Sequence, residues 1–139
     1  MRAAPPSRPQ LWAGRFLSML AVLFMLLDSV IKLVVIQPVV EEFTRLGYQV
    51  SLARGIGILE LGLLVIYLIP RTTILGGILL TGYLGGAVVT HLRIGDPIFS
   101  HILFPVYIGA LLWGGVYLRD ARLRAIISRE PELAASRSA

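Results

Sequence analysis

With 139 residues, 56% of them hydrophobic and 15% charged, the chain has more apolar surface than a globule of this size can bury, which excludes an ordinary water-soluble domain. The absence of cysteine excludes disulfides, thiolate metal ligands and any CxxC redox mechanism. The formal net charge of +5 does not indicate nucleic-acid binding, because no polar element could carry a groove-reading face.

Four apolar segments predict an all-α fold, a four-helix transmembrane bundle. The first segment, residues 16–36, is long enough to cross a hydrocarbon core of about 30 Å at about 1.5 Å per residue. It does not fit a signal peptide, because no small-x-small cleavage site follows it. The second segment lies between Arg54 and Pro70, at residues 55–69, and the other two occupy residues 73–90 and about 102–118. The predicted organisation is an N-terminal tail (1–15), a transmembrane domain (16–118) and a C-terminal tail (119–139).

The basic residues predict that both tails are cytoplasmic. In this orientation the eight arginines of the tails and Arg71 lie inside, which is nine of the 13 Lys and Arg residues. The outer connections then hold only Arg45, Arg54 and Arg93, with Lys32 in the first span. An excess of Lys and Arg is typical of cytoplasmic segments of membrane proteins.

The connection after the first span predicts a short helix on the outer membrane surface. Pro38 suits a first helical turn, and Val39, Phe43 and Leu46 repeat at helical spacing before Gly47, which favours a helix end. Such a helix would place its apolar side against the lipid.

Small residues recur on the third span. Gly82, Gly86 and Thr90 form one row at a spacing of four, and Gly77, Thr81 and Gly85 form a second row beside it. The first row predicts close packing against a larger membrane complex or a second copy of the chain, since small residues let helices approach in lipid. The alternative is a backbone surface opened to admit a flat ligand.

Ionisable residues inside the spans predict a polar pocket. Asp28 and Lys32 are four residues apart and share a helix face, and Glu60 lies in the second span. A charge at mid-membrane costs about 2.5–3.5 kcal/mol on insertion scales, so such groups usually face the bundle and find partners. With the termini inside, all three lie in the outer half of the bundle. The alternative is a purely structural role, with Asp28 and Lys32 as a self-neutralising pair and Glu60 hydrogen-bonded to Lys32 or Arg54.

The connection between the third and fourth spans carries both histidines. His91 ends the third span and His101 opens the fourth, so both are candidates for the same outer pocket, although interfacial loops often carry histidine without a function. Residues 95–97 form the reversal itself, with Arg93 and Asp96 expected to be solvated turn residues.

Metal binding and hydrolase chemistry are not predicted. Two histidines with Glu60 or Asp28 could supply three metal ligands, but no compact signature such as HExxH is present. Ser100 beside His101 is too little to indicate a hydrolase.

Between about residues 45 and 126 the chain contains the phrases YLIPRT, LLTGYLGGAV-THLR and GDP-FSH-LFP. In these phrases it resembles the DoxX-like family of small bacterial four-helix membrane proteins. The resemblance implies four spans in a bacterial plasma membrane. Wider relatives include a membrane subunit associated with quinone-linked thiosulfate oxidation, so the resemblance implies a pocket for a quinone or a similar amphiphile. Glu60, His91 and His101 are the matching positions that could hydrogen-bond its carbonyls.

Two functions follow from this reading. The first is a redox-associated membrane protein that binds quinone through Asp28, Lys32, Glu60, His91 and His101. The second is a non-enzymatic accessory or assembly subunit that packs through Gly82, Gly86 and Thr90. The sequence shows no haem, flavin or iron–sulfur motif, so no intrinsic cofactor is predicted and binding is favoured over independent catalysis. No catalytic residue is assigned.

Overall fold

The computed structural model describes residues 5–127, and within this range the chain is helical and contains no strand. The elements are α1 (Arg8–Val34), α2 (Gln37–Arg45), α3 (Leu52–Leu68), α4 (Thr73–Arg93), a π-helical turn (Ile98–Ile102) and α5 (Phe104–Arg119). A last helical segment, residues 121–127, follows a break at Asp120. Parts of both predicted tails, with Arg2, Arg129 and Arg137, lie outside the described residues.

Three stretches of the described chain are long and apolar enough to cross a membrane. They are Arg8–Val34, Thr73–Arg93 and the continuous stretch Ile98–Arg119. Helix α3 has 17 residues, which extend about 26 Å at 1.5 Å per residue and fall short of a core of about 30 Å. The multi-pass membrane character is confirmed, and the fourth crossing stays a prediction.

Helix α1 begins earlier than the predicted residue 16. Ser7 caps it, with its hydroxyl accepting from the Gln10 amide and the Gln10 side chain accepting from the Ser7 amide, and a proline lies in the first turn. At the other end the chain leaves the helix at Val35, which has a positive φ of 57°. Hydropathy alone misses this start, because the capping signal is polar and lies ahead of the apolar run.

The four longest helices pack in a ring around one apolar core. Helix α1 contacts α3 and α5, and α4 contacts the same two helices from the other side. The core consists of Ala21, Met25, Leu64, Tyr67, Leu80, Leu84, Ile108, Leu112 and Val116. The beginning of α1 lies against the end of α5, so the two ends of the described chain meet at the same end of the bundle.

Within this core, Tyr67 of α3 forms hydrogen bonds with residues of two other helices. Its hydroxyl donates to the Leu112 carbonyl of α5 at 3.1 Å and lies 3.0 Å from the hydroxyl of Ser18 in α1. Since the tyrosine proton is used on the carbonyl, Ser18 donates to Tyr67. Each polar atom of this fully buried contact therefore has a partner, which a lipid-surrounded core requires.

The predicted short helix is present as α2, but its apolar side packs on one end of the bundle instead of facing lipid as the sequence predicts. Val39 and Phe43 are buried against Ala53 in the first turn of α3. The helix ends before Gly47, whose φ of 75° is the left-handed conformation that glycine adopts without a steric cost. This places α2 over the end of the bundle where Lys32 and His91 lie.

Candidate functional site

Three of the predicted site residues meet below α2. The Lys32 ammonium group forms an ion pair with Asp28 on its own helix and another with Glu60 of α3, with 3.0 Å between Nζ and Oε2 of Glu60. The side chain of Glu60 is only 1% exposed and that of Lys32 15%. Of the two partners foreseen for Glu60, the structure selects Lys32.

Tyr83 of α4 completes this network, and the sequence reasoning missed it. Its hydroxyl accepts from Lys32 at 2.9 Å and donates to Oε2 of Glu60 at 2.8 Å. Its depth along α4 is the signal that could have identified it. Tyr83 lies eight residues before His91, or about 12 Å along the helix, at a depth similar to that of Asp28. We name Asp28, Lys32, Glu60 and Tyr83 the charge cluster.

The charge cluster forms part of the wall of a cavity of about 600 Å³, which we name the polar cavity. Every helix of the bundle contributes to its wall, and α2 contributes Glu42 and Phe43. Apolar side chains such as Phe24, Phe104 and Ile108 make up much of the remaining surface. A mostly apolar wall with a few convergent polar groups is the usual composition of a small-molecule site.

The two rows of small residues on α4 have different surroundings. Gly82, Gly86 and Thr90 line the polar cavity, and a Cβ built on either glycine meets no atom within 4 Å. In the second row, Thr81 accepts a hydrogen bond of 2.8 Å from the Trp113 indole of α5. The first row therefore leaves open space at the wall of the cavity, while the entry of a flat ligand there stays a prediction. Its predicted role in binding a partner stays a prediction.

A polar contact joins α2 to the end of α4. Asp96 accepts from Arg45 of α2 at 2.5 Å, and it lies 2.6 Å from Nδ1 of His91. The side chain of Asp96 is 8% exposed, so its expected role as a solvated turn residue is wrong. Arg93 is exposed, as expected of a solvated turn residue, and its guanidinium also donates to the Leu46 carbonyl.

These contacts determine the charge of Asp96. The hydrogen bonds from Arg45 and His91 lower the pKa of this carboxyl to about 2. The contact also raises the pKa of Arg45, first through Asp96 and then through Glu42. Asp96 is therefore a carboxylate, which only accepts hydrogen bonds, so Nδ1 of His91 carries the proton of their contact.

The two histidines have different positions. His91 lines the polar cavity, whereas His101 belongs to the π-helical turn and is not among the lining residues. The rings lie edge to face with 5.8 Å between their centroids, and Nδ1 of His101 is 2.8 Å from the Ser100 hydroxyl. The structure thus brings together at one cavity the side chains of Asp28, Lys32, Glu60 and His91. His101 lies next to His91 but does not line the cavity. No three His, Asp or Glu side chains within residues 5–127 form a group suited to a metal ion.

A comparison with known protein families supports the resemblance that the sequence shows to the DoxX-like family. The model of the DoxX-like family matches residues 16–115, which is more than half of the 139 residues. No curated protein and no solved structure matches the chain. The chain therefore belongs to the DoxX-like family.

Proposed function

We propose that this member of the DoxX-like family binds a quinone or a similar amphiphile in the polar cavity, within the outer half of a bacterial plasma membrane. The observation that carries the proposal is the position of Glu60, a carboxylate that is 1% exposed and yet lines a cavity of about 600 Å³. Intramembrane ionisable groups are costly, and they usually mark a ligand or ion site.

The shape and chemistry of the polar cavity support an amphiphile. A ring-shaped head group can lie beside Gly82 and Gly86, where no side chain takes up the space. Its polar atoms can reach the charge cluster, and its apolar tail can contact Phe24, Phe104 and Ile108. A lipid-soluble carrier would reach such a site from the membrane itself.

The outer location depends on the orientation predicted from the arginines. With both termini in the cytoplasm, the polar cavity, α2 and His91 lie toward the outer face. Four crossings, with α3 as the second, are part of this proposal. The proposed role is binding rather than independent catalysis.

The test is mass spectrometry of small molecules that co-purify with the protein in mild detergent. We expect a stoichiometric amphiphile, such as a quinone, on the wild-type protein and its loss from a folded Gly86→Leu variant, because leucine fills the space beside the charge cluster. Gly62→Leu is the matched control, since Gly62 is an exposed mid-helix glycine outside the polar cavity and its Cβ also meets nothing within 4 Å.

Two results would contradict the proposal. One is an empty wild-type protein that instead co-purifies with other membrane subunits, which would favour the accessory function. The other is equal loss of the amphiphile from Gly62→Leu and Gly86→Leu, which would mean that the molecule binds the lipid-facing surface.

A further inference from the structure

The hydrogen-bond donors of the charge cluster are all in use. The three protons of the Lys32 ammonium group point to Asp28, Glu60 and Tyr83. The only proton of the Tyr83 hydroxyl goes to Glu60. A ligand that needs a donor from this cluster would have to break one of these contacts.

The donors near α2 are used as well. The Thr90 hydroxyl donates to the Gly86 carbonyl at 2.9 Å, so the Tyr48 hydroxyl donates its own proton to Thr90 over 3.0 Å. The Nδ1 proton of His91 goes to Asp96.

The polar atoms that remain are acceptors. Within residues 5–127, no protein group hydrogen-bonds Oε1 of Glu60 or Oδ1 of Asp28, and both side chains line the polar cavity. Both oxygens remain open to the cavity, so a ligand hydroxyl can donate to them, and a hydrogen bond to a charged acceptor is stronger than one between neutral groups.

We infer that the polar cavity selects amphiphiles whose head group donates a hydrogen bond from a neutral ring hydroxyl, with Oε1 of Glu60 as the acceptor. Among quinone-type ligands, the cavity binds the hydroquinone in preference to the quinone, whose carbonyls offer only acceptors. A hydroxyl fits better than an ammonium group, because Lys32 already places a positive charge beside Glu60. This inference rests on the proposed function and makes its ligand class specific.

A pair of probes that differ only in the donor tests this. The protein in lipid nanodiscs is titrated with 4-decylphenol and with 4-decylanisole, which have the same ring and chain, and binding is followed by native mass spectrometry. We expect the phenol to bind about tenfold more tightly or better, as is typical of a hydrogen bond to a charged group. A decyl hydroquinone should exceed the matching decyl quinone in the same way.

Variants then locate the acceptor. In Glu60→Gln the carboxylate is replaced by an amide that accepts more weakly and carries its own donor, so the preference for the phenol should fall to near equality. Gly62→Leu should keep the wild-type preference. The comparison on the wild-type protein does not depend on whether Glu60→Gln folds.

Each outcome has a separate meaning. Equal binding of the two probes, or tighter binding of the anisole, would overturn the donor inference and leave the proposed function standing. If neither probe nor either quinone form binds, the proposed function fails together with the inference. A phenol preference that a folded Glu60→Gln retains would overturn Glu60 as the acceptor.

Discussion

Lys32 is the cation that two carboxylates share, and this makes the charge cluster asymmetric. Asp28 and Glu60 both pair with its ammonium group, and Tyr83 bonds to the same nitrogen. Removal of the lysine leaves two carboxylates near each other without a counter-charge in an apolar surrounding. Removal of the charge on Glu60 leaves the Lys32–Asp28 pair intact. Removal of Lys32 should therefore lower the stability of the fold more than removal of the charge on Glu60.

We expect Lys32→Met to destabilise the protein more than Glu60→Gln. Loss of one partner of a buried ion pair costs about 3–5 kcal/mol. The glutamine in Glu60→Gln still accepts from Lys32 and Tyr83, so about 1–3 kcal/mol is expected for that change. Thermal unfolding in mild detergent measures both, with Arg54→Met as the control because Arg54 is exposed. A larger loss from Glu60→Gln than from Lys32→Met would contradict the assigned role of Lys32.

At the level of single residues, the sequence predicts what helix geometry determines. Asp28 and Lys32 share a face by their spacing, and Glu60 reaches the same depth from a neighbouring helix. Asp96 was misjudged because its partner Arg45 is 51 residues away in the chain, and no local pattern records that contact. Whether these residues bind a ligand stays a prediction.

Helix α2 is the element whose position depends most on surface charge. Its Arg45 bonds to Asp96, which lies beyond the end of α4. The pKa of Asp96 is lowered to about 2, below its usual value of about 3.9. A carboxyl whose folded-state pKa is depressed stabilises the folded arrangement above its unfolded pKa, and that contribution is lost as the pH falls toward the folded pKa.

We therefore expect α2 to loosen as the pH falls from about 4 to about 2. Amide hydrogen exchange over Gln37–Arg45, corrected for the intrinsic effect of pH, should accelerate in this window, while exchange in α1 should not. Asp96→Asn should exchange fast in α2 at every pH. Asp120→Asn is the matched control, because Arg122 lowers the pKa of Asp120 in the same manner at the opposite end of the bundle. An unchanged α2 in Asp96→Asn would show that apolar contacts alone hold it.

The close approach of α1 and α5 lies outside the two rows of small residues that the sequence shows on α4. The regular glycine row of α4 lines the polar cavity, whereas α1 and α5 approach each other at Gly14 and Gly115, which belong to no regular repeat. The regular spacing of small residues identifies a helix face without bulky side chains, but it does not show which neighbouring helix packs on that face. The helices themselves were predictable, because hydropathy and turn residues are local properties.

We expect Gly115→Ala to destabilise the bundle and the neighbouring Gly114→Ala to be tolerated. A Cβ on Gly115 would lie 2.2 Å from Oγ of Ser18 and 2.9 Å from the Gly14 carbonyl oxygen, and overpacking of this kind costs about 1–3 kcal/mol. A Cβ on Gly114 has its nearest neighbour at 3.5 Å, so alanine there should be neutral or gain up to about 1 kcal/mol of helix propensity. Unfolding temperatures in mild detergent compare the pair. Equal stability of the two variants would mean that α1 and α5 are not in close contact.

For the molecule as a whole, the position of α3 decides between three and four crossings. Helix α3 packs between α1 and α4 and runs from the end covered by α2 to the end where α1 begins and α5 ends. Its 17 residues are short for the hydrocarbon core, but a bilayer thins locally around a short helix at a modest cost. Packing therefore supports a crossing that hydropathy alone does not establish.

The absence of cysteine makes this topology directly measurable, since each introduced cysteine is the only thiol in the chain. We expect Gln49→Cys to react with a membrane-impermeant maleimide on intact cells, and Pro5→Cys and Arg71→Cys to react only after permeabilisation, with labelling in permeabilised cells as the control for each. Labelling of Arg71→Cys on intact cells together with Gln49→Cys would place both ends of α3 on one side and remove the fourth crossing. The reverse pattern, with Pro5→Cys and Arg71→Cys labelled and Gln49→Cys protected, would keep four crossings but turn the polar cavity toward the cytoplasm, so that any amphiphile it binds would be drawn from the inner leaflet.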